Sequence, residues 1–246
     1  MTVLRADRRG LAPLWSPPAA PPQAPAWDVL VGGAPEALAD LAGVSALYEP
    51  LKRILDVVIA SVLIVLLAPL MGAVALAIKL TSPGVVVFRQ IRAGRGGQPF
   101  IMYKFRSMRL GAESDRPSIS HLNQMQGSPV FKIAQHPRMT RLGRWLRRTS
   151  IDELPQLFNV LAGHMSLVGP RPLWMPEAQQ AGLVSAMRTA VKPGLTCLWQ
   201  ISGRSELTYD QWVNLDLYYI QQRSTWLDLL IMCQTVPAVL SAKGAY

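Results

Sequence analysis

Between Val57 and Ile78 the chain carries no charged residue. At about 1.5 Å of rise per residue this run is long enough to cross a bilayer as a helix. Pro69 lies in its middle, where a missing amide hydrogen and a ring clash kink or break a helix. Lys52 and Arg53 precede the run, and Lys79, Arg89, Arg92 and Arg95 follow it. A simple span has one basic, cytoplasmic flank, whereas two basic flanks favour both ends on that side. Membrane helices also tolerate internal proline. The pattern alone therefore leaves a single span and a re-entrant hairpin with its tip at Pro69 equally open.

Downstream the period changes. Val85–Arg92 and Phe100–Arg106 are β-rich runs on either side of Ala93-Gly94-Arg95-Gly96-Gly97-Gln98, which predicts a hairpin. The glycines admit a phosphate nest, but a hairpin turn is the commoner use. Leu142, Trp145 and Leu146 form a stripe inside an arginine-rich helix, facing either the headgroup layer or the core. Leu154, Leu157, Phe158 and Leu161 recur at helical spacing. A last helix aligns Trp226, Leu229, Leu230, Cys233, Val236 and Leu240, to rest on a bilayer or close the core. Residues 1–47, with the run WSPPAAPPQAPAW, lack any core-forming pattern and are expected to be a disordered tail. Prolines after Arg5, Arg8 and Arg9 leave no signal-peptide apolar segment. Gly111–Gln135 is polar and aperiodic and is expected to be a long loop.

Composition sharpens this outline. Of 246 residues 50% are hydrophobic and only 16% charged, yet the net charge is +10 and the isoelectric point about 10.1. A greasy, basic chain points to an anionic partner, and a membrane surface fits both properties. Cys197 and Cys233 have no metal-like spacing, and His121, His136 and His164 are scattered, so neither a disulfide framework nor a zinc site is implied.

The densest chemistry lies in Arg141–Pro172, RLGRWLRRTSIDELPQLFNVLAGHMSLVGPRP. Arg141, Arg144, Arg147 and Arg148 precede the carboxylates Asp152 and Glu153, and Arg171 follows in a Gly-Pro-Arg-Pro turn. Pro155 fits the first turn of the next helix, so both acids fall near a helix N-terminus, which favours negative charge. With Arg147 also close, Asp152 is expected to ionise without a raised pKa. Cations around two carboxylates suggest a site that holds phosphate. The simpler alternative is a capping box, Ser150-x-x-Glu153; it leaves Asp152 and the arginines without a role.

RRTSIDELPQLFNVLAGHMSLVGPRP resembles the bacterial sugar transferases that start surface glycan assembly, the monotopic phosphoglycosyl transferases. The resemblance runs from about Tyr48 to the C-terminus. Tyr103-Lys104-Phe105-Arg106-Ser107-Met108 matches that family's KFRSM block, and residues 191–204, VKPGLTCLWQISGR, resemble its KPGxTGxxQxxGR block with Cys197 in place of glycine. The resemblance implies that Asp152 is a nucleophile carrying a covalent phosphosugar, with Glu153 assisting at a magnesium ion. Lys104, Arg106, Arg147 and Arg171 become candidate phosphate ligands, and Gln200 and Arg204 candidate nucleotide-sugar contacts. For each of these, solvated strand cations or a structural turn remains the plainer alternative. The family's re-entrant helix-break-helix commonly breaks at Ser-Pro; here the pair is Ala68-Pro69.

The expected architecture is a mostly α, α+β monotopic membrane protein. Its parts are a tail (1–47), a re-entrant helix hairpin (48–82) and a cytoplasmic catalytic domain with amphipathic interfacial helices (83–246). The expected function is transfer of a hexose-1-phosphate, glucose or galactose favoured, from a UDP-sugar to undecaprenyl phosphate with release of UMP. Expected partners are those substrates and the lipids of the bacterial inner membrane. The oligomeric state stays open, a homo-oligomer included. A membrane-tethered nucleic-acid-binding protein or a scaffold is the alternative, but no nucleic-acid fold signature occurs.

Overall fold

The computed structural model describes residues 45–112, 137–204 and 207–241, together with His121, Asn123, Ser128, Val130 and Ile133. The expected tail, apart from its last three residues, lies outside the described residues, as do most of the expected 111–135 loop and His136.

Helix α1, Tyr48–Thr81, holds the whole uncharged run and continues through Pro69, so the proline does not interrupt it as a helix. Its N-terminal half buries Ala60 in the main core beside Leu157, Val160, Met165 and Leu167. Its C-terminal half buries Val74 and Ile78 in a second cluster with Phe105 and Leu146. Long polar side chains pin both halves. The Arg53 guanidinium donates to the carbonyls of Val160 (2.6 Å) and Leu161 (2.7 Å). Asp56 Oδ1 accepts from the Leu167 amide (2.9 Å) and Ser166 Oγ (3.1 Å). At the far end Arg106 donates to the carbonyls of Pro83 (2.6 Å) and Ser82 (2.7 Å). Between these anchors Val58, Val62, Val65 and Leu66 face outward.

The hairpin forms as expected: β1 (Val87–Ala93) and β2 (Pro99–Phe105) pair antiparallel, Val87 opposite Phe105 and Ala93 opposite Pro99. Its glycine turn is no phosphate nest, because the Gly94 amide donates to Gln98 O and the Gly96 amide to Thr189 O, each at 2.7 Å. Buried Asn159 fastens β2 to the helix that follows the acid pair, α3 (Gln156–Leu161). Its Oδ1 accepts from the Tyr103 amide at 3.0 Å and its Nδ2 donates to Ile101 O at 2.7 Å.

The arginine-rich helix α2 (Arg141–Arg148) is capped by Thr140, whose Oγ1 accepts from the Gly143 amide at 2.9 Å. A Cβ on Gly143 would lie 1.8 Å from Ser107 O, so only glycine lets α2 approach this closely. The expected stripe splits: Leu146 is in the core with Leu142 against it, while Trp145 is half exposed. On α3 the buried face is Gln156, Leu157, Asn159 and Val160, rotated from the apolar positions so that Phe158 points out.

A second, parallel pair, β3 (Ser166–Val168) with β4 (Gly194–Thr196), was not foreseen. It brings the Gly169–Pro172 turn against the Lys192–Gly194 segment, where a Cβ on Gly194 would meet Gly169 N at 2.0 Å. Short helices α4 (Met175–Gln180), α5 (Gly182–Arg188) and α6 (Leu198–Ile201) lead into α7 (Tyr209–Gln222) and α8 (Thr225–Ser241). On α8 the core takes Ile231, whereas the expected apolar face points out at Trp226, Val236 and Leu240. That face does not close the core.

Candidate active site

Asp152 and Glu153 occupy a 3-10 turn, Ile151–Glu153, directly ahead of α3, with Pro155 at its N-cap. The capping box does not form. Ser150 adopts a left-handed conformation at φ 58° and its side chain caps nothing. That geometry is sparsely populated for a residue with a Cβ and turns the chain so that the acids meet β2 and the Arg171 turn.

The two carboxylates differ in their partners. Glu153 Oε1 lies 2.6 Å from Lys104 Nζ and 3.7 Å from an Arg171 nitrogen. Burial alone would raise its pKa, but Lys104 and then Arg171 reverse this and lower it to about 2. Asp152 is 5% exposed and makes no hydrogen bond or ion pair among the described residues. Burial pushes its carboxyl up from the ordinary value, against the pull of Lys104, Arg147 and Arg171, and Glu153 adds to the rise. The expectation of an unperturbed Asp152 is thereby corrected: the dehydration cost outweighs the nearby cations.

Arg147 reaches across to Ser107 Oγ with its Nε at 2.9 Å, and its charge acts on Asp152. Lys104, Glu153, Arg171 and Gln200 line one small cleft, joined by Arg92 and Gln156. Asp152 lies beside this cleft rather than in its wall. The Arg171 guanidinium sits over the Trp199 ring at 5.5 Å. Arg204, left-handed at φ 50°, donates from Nε to Gln200 O at 3.3 Å, with its charge felt at Glu153. Thus Lys104, Arg147, Asp152, Glu153, Arg171, Gln200 and Arg204 converge. Arg106 does not, because both its terminal nitrogens are engaged at the end of α1.

The sequence reading missed Arg92, Gln156 and a buried pair behind the Arg171 turn. Arg188 contacts Asp216 at 2.6 Å with both side chains 1% exposed, and the same Arg188 nitrogen donates to Arg171 O at 3.5 Å. The charged positions of α5 and α7 were legible, but nothing local said that they meet.

No cluster of three His, Cys, Asp or Glu side chains that could hold a metal occurs among the described residues. The donor set still suits magnesium, which takes one or two protein carboxylates and completes its shell with water and substrate phosphates. Asp152 offers oxygens that no group among the described residues claims, and Glu153 is adjacent.

Comparison with known proteins now decides the family. The sequence model of the bacterial sugar transferases matches residues 47–242. The chain belongs to this family. It is 47% identical over 163 residues to the galactosyl transferase CpsE of Streptococcus agalactiae, covering 66% of this chain and 36% of that protein. It is 44% identical to a UDP-glucose:undecaprenyl-phosphate glucose-1-phosphate transferase of Caulobacter vibrioides, covering 79% of this chain and 72% of that one. It is 37% identical to the exopolysaccharide production protein ExoY of Rhizobium meliloti, covering 79% and 88%. The chain spans less than half the length of several curated relatives, CpsE among them.

Proposed function

We propose that this family member transfers a hexose-1-phosphate, glucose or galactose, from a UDP-sugar to undecaprenyl phosphate, in the initiation of exopolysaccharide or another surface glycan. The observation that carries the reading is the pairing of a buried carboxylate, Asp152, uncommitted among the described residues, with the cations Lys104, Arg147 and Arg171 beside a polar cleft. The activity for which the Caulobacter relative is named supports the substrate class.

In this reading an Asp152 oxygen attacks the sugar-bearing phosphorus of the UDP-sugar. The bond from that phosphorus to the bridging oxygen breaks, and UMP leaves with the bridge. A phosphate oxygen of undecaprenyl phosphate then attacks the same phosphorus, and the acyl phosphate bond breaks to restore Asp152. Splitting one displacement into two lowers each barrier. The raised pKa makes Asp152 the more basic and better nucleophile of the pair, while Lys104 and Arg171 hold Glu153 at low basicity. Lys104, Arg147 and Arg171 offset charge growing on the transferring phosphoryl group. Magnesium bound at Asp152 and Glu153 would neutralise the diphosphate.

The same reading makes α1 a re-entrant anchor, with the catalytic body on the cytoplasmic face of the bacterial inner membrane. Both halves of α1 pack on one body. Ala60 and Val74 are separated by about 21 Å of helical rise, less than the roughly 30 Å of a hydrocarbon core. The basic nucleic-acid-binding alternative loses support because Arg106, Arg138 and Arg188 are buried.

With UDP-sugar and magnesium but no acceptor, the protein should release about one UMP per site and gain the mass of a hexose phosphate. Asp152→Asn should abolish both, and Glu153→Gln should retain the adduct. Absence of burst and adduct in the wild type, with kinetics that require both substrates bound together, would refute the covalent route.

A further inference from the structure

A second cavity lies at the other end of the Lys192–Gly194 segment. It is a small, partly open pocket that shares no lining residue with the Lys104–Arg171 cleft. Four cations line it, Lys52, Arg53, Lys192 and Arg223, against the carboxylates Glu49 and Asp56. Three facts separate this cavity from an ordinary buried ion-pair network.

First, the carboxylates are engaged elsewhere. Asp56 accepts from Ser166 and Leu167, and Glu49 lies 4.0 Å from Arg95. Secondly, two of the cations already have work. Lys52 pairs with Asp228 at 2.7 Å, and Arg53 clamps the end of α3. The other two have no ion-pair partner among the described residues, although Asp56 and Glu49 attract Lys192 from within the cavity. Lys192 makes no hydrogen bond or ion pair among the described residues. Burial, then the neighbouring Arg53, hold its pKa below the ordinary lysine value. Arg223 donates to Ile220 O, but its Nε is buried without a partner. Thirdly, the cavity lies beside the start of α1, where Leu51 and Ile54 are exposed apolar residues.

Four cations around one cavity with only two carboxylates leave an excess of positive charge, and a bound anion offsets it. A guanidinium edge and a lysine ammonium recognise phosphate oxygens well, the former by directed hydrogen bonds and the latter as a point charge. We propose that Lys192 and Arg223, backed by Lys52 and Arg53, form a second phosphate-binding site at the base of α1. The ligand is a phosphate group, carried by an anionic lipid headgroup or by a soluble phosphoanion. The site is separate from the catalytic cleft, and the proposal does not rest on the transfer reaction.

The test uses the full chain purified in detergent free of phospholipid. One arm titrates inorganic phosphate at constant ionic strength and follows the melting temperature. The other adds phosphatidylglycerol, with diacylglycerol as the phosphate-free control, and counts retained lipids by native mass spectrometry. The wild type should bind in at least one arm: lipid retention without a phosphate effect assigns a headgroup, and a phosphate effect assigns a soluble anion. Lys192→Gln and Arg223→Gln should each weaken that binding by about tenfold or more. Lys192→Arg should restore it, which separates lost charge from lost folding. Glu153→Gln, in the other cavity, should leave it unchanged. No binding in either arm, or wild-type binding by both glutamine variants, overturns the proposal.

Discussion

Replacing Lys104 with methionine tests the electrostatics of the cleft most directly. The ammonium lies 2.6 Å from Glu153, and each side chain of the pair is 16% exposed. Glu153 has an ordinary value of 4.5 and is held at about 2. At about 1.4 kcal/mol per unit, the full depression corresponds to roughly 3 kcal/mol. Lys104 causes the largest part of the lowering, and Arg171 at 3.7 Å remains in the variant. Removing the buried ammonium also relieves its own desolvation, which lowers the Lys104 pKa. The expected net loss at neutral pH is therefore about 1–2 kcal/mol, or several degrees in melting temperature for a chain of this size. The sign with pH follows from the depressed carboxylate. Its stabilisation is present above the unfolded value near 4.5 and is lost as pH falls through about 2. The melting temperatures of wild type and Lys104→Met should thus differ most above pH 4.5 and converge toward pH 2. A double-mutant cycle with Glu153→Gln should show coupling of about 1 kcal/mol. A pH-independent difference, or a coupling near zero, would refute this account of the pair.

Other consequences follow from the same contacts. Arg106→Met should lower stability by about 2 kcal/mol through two lost carbonyl partners, yet leave the Michaelis constant for UDP-sugar unchanged; a large rise in that constant would make Arg106 a phosphate ligand after all. Gly143→Ala places a Cβ 1.8 Å from Ser107 O, so it should cost about 2 kcal/mol or more, read by thermal unfolding. The acid limb of the rate profile should lie above the ordinary aspartate value of 3.8, because activity needs the ionised form of a group whose pKa is raised; Arg147→Met should move that limb to higher pH. Cysteines placed singly at Ser45 and Gln98, in protein lacking Cys197 and Cys233, should both label from the cytoplasmic side; labelling from opposite sides would establish a simple span.

Local pattern by itself determined a good deal of this protein. The uncharged run of α1, the β1–β2 hairpin and the helix after Asp152-Glu153 each depend on neighbours within a few residues, which periodicity and turn chemistry report directly. The motif blocks likewise located the acids and the cations Lys104, Arg147 and Arg171. Tertiary structure alone decided which charges remain for chemistry. Arg106 stands two residues from Lys104, yet one clamps the end of α1 and the other faces Glu153. A long side chain reaches whatever the fold brings near, and Arg53 finds its partners more than a hundred residues away. The same holds for the β3–β4 pair, whose three-residue strands carry too little pattern to read. It also holds for Asp152, whose raised pKa comes from the dehydration of a packed interior, a property of the assembled fold rather than of residues 150–155.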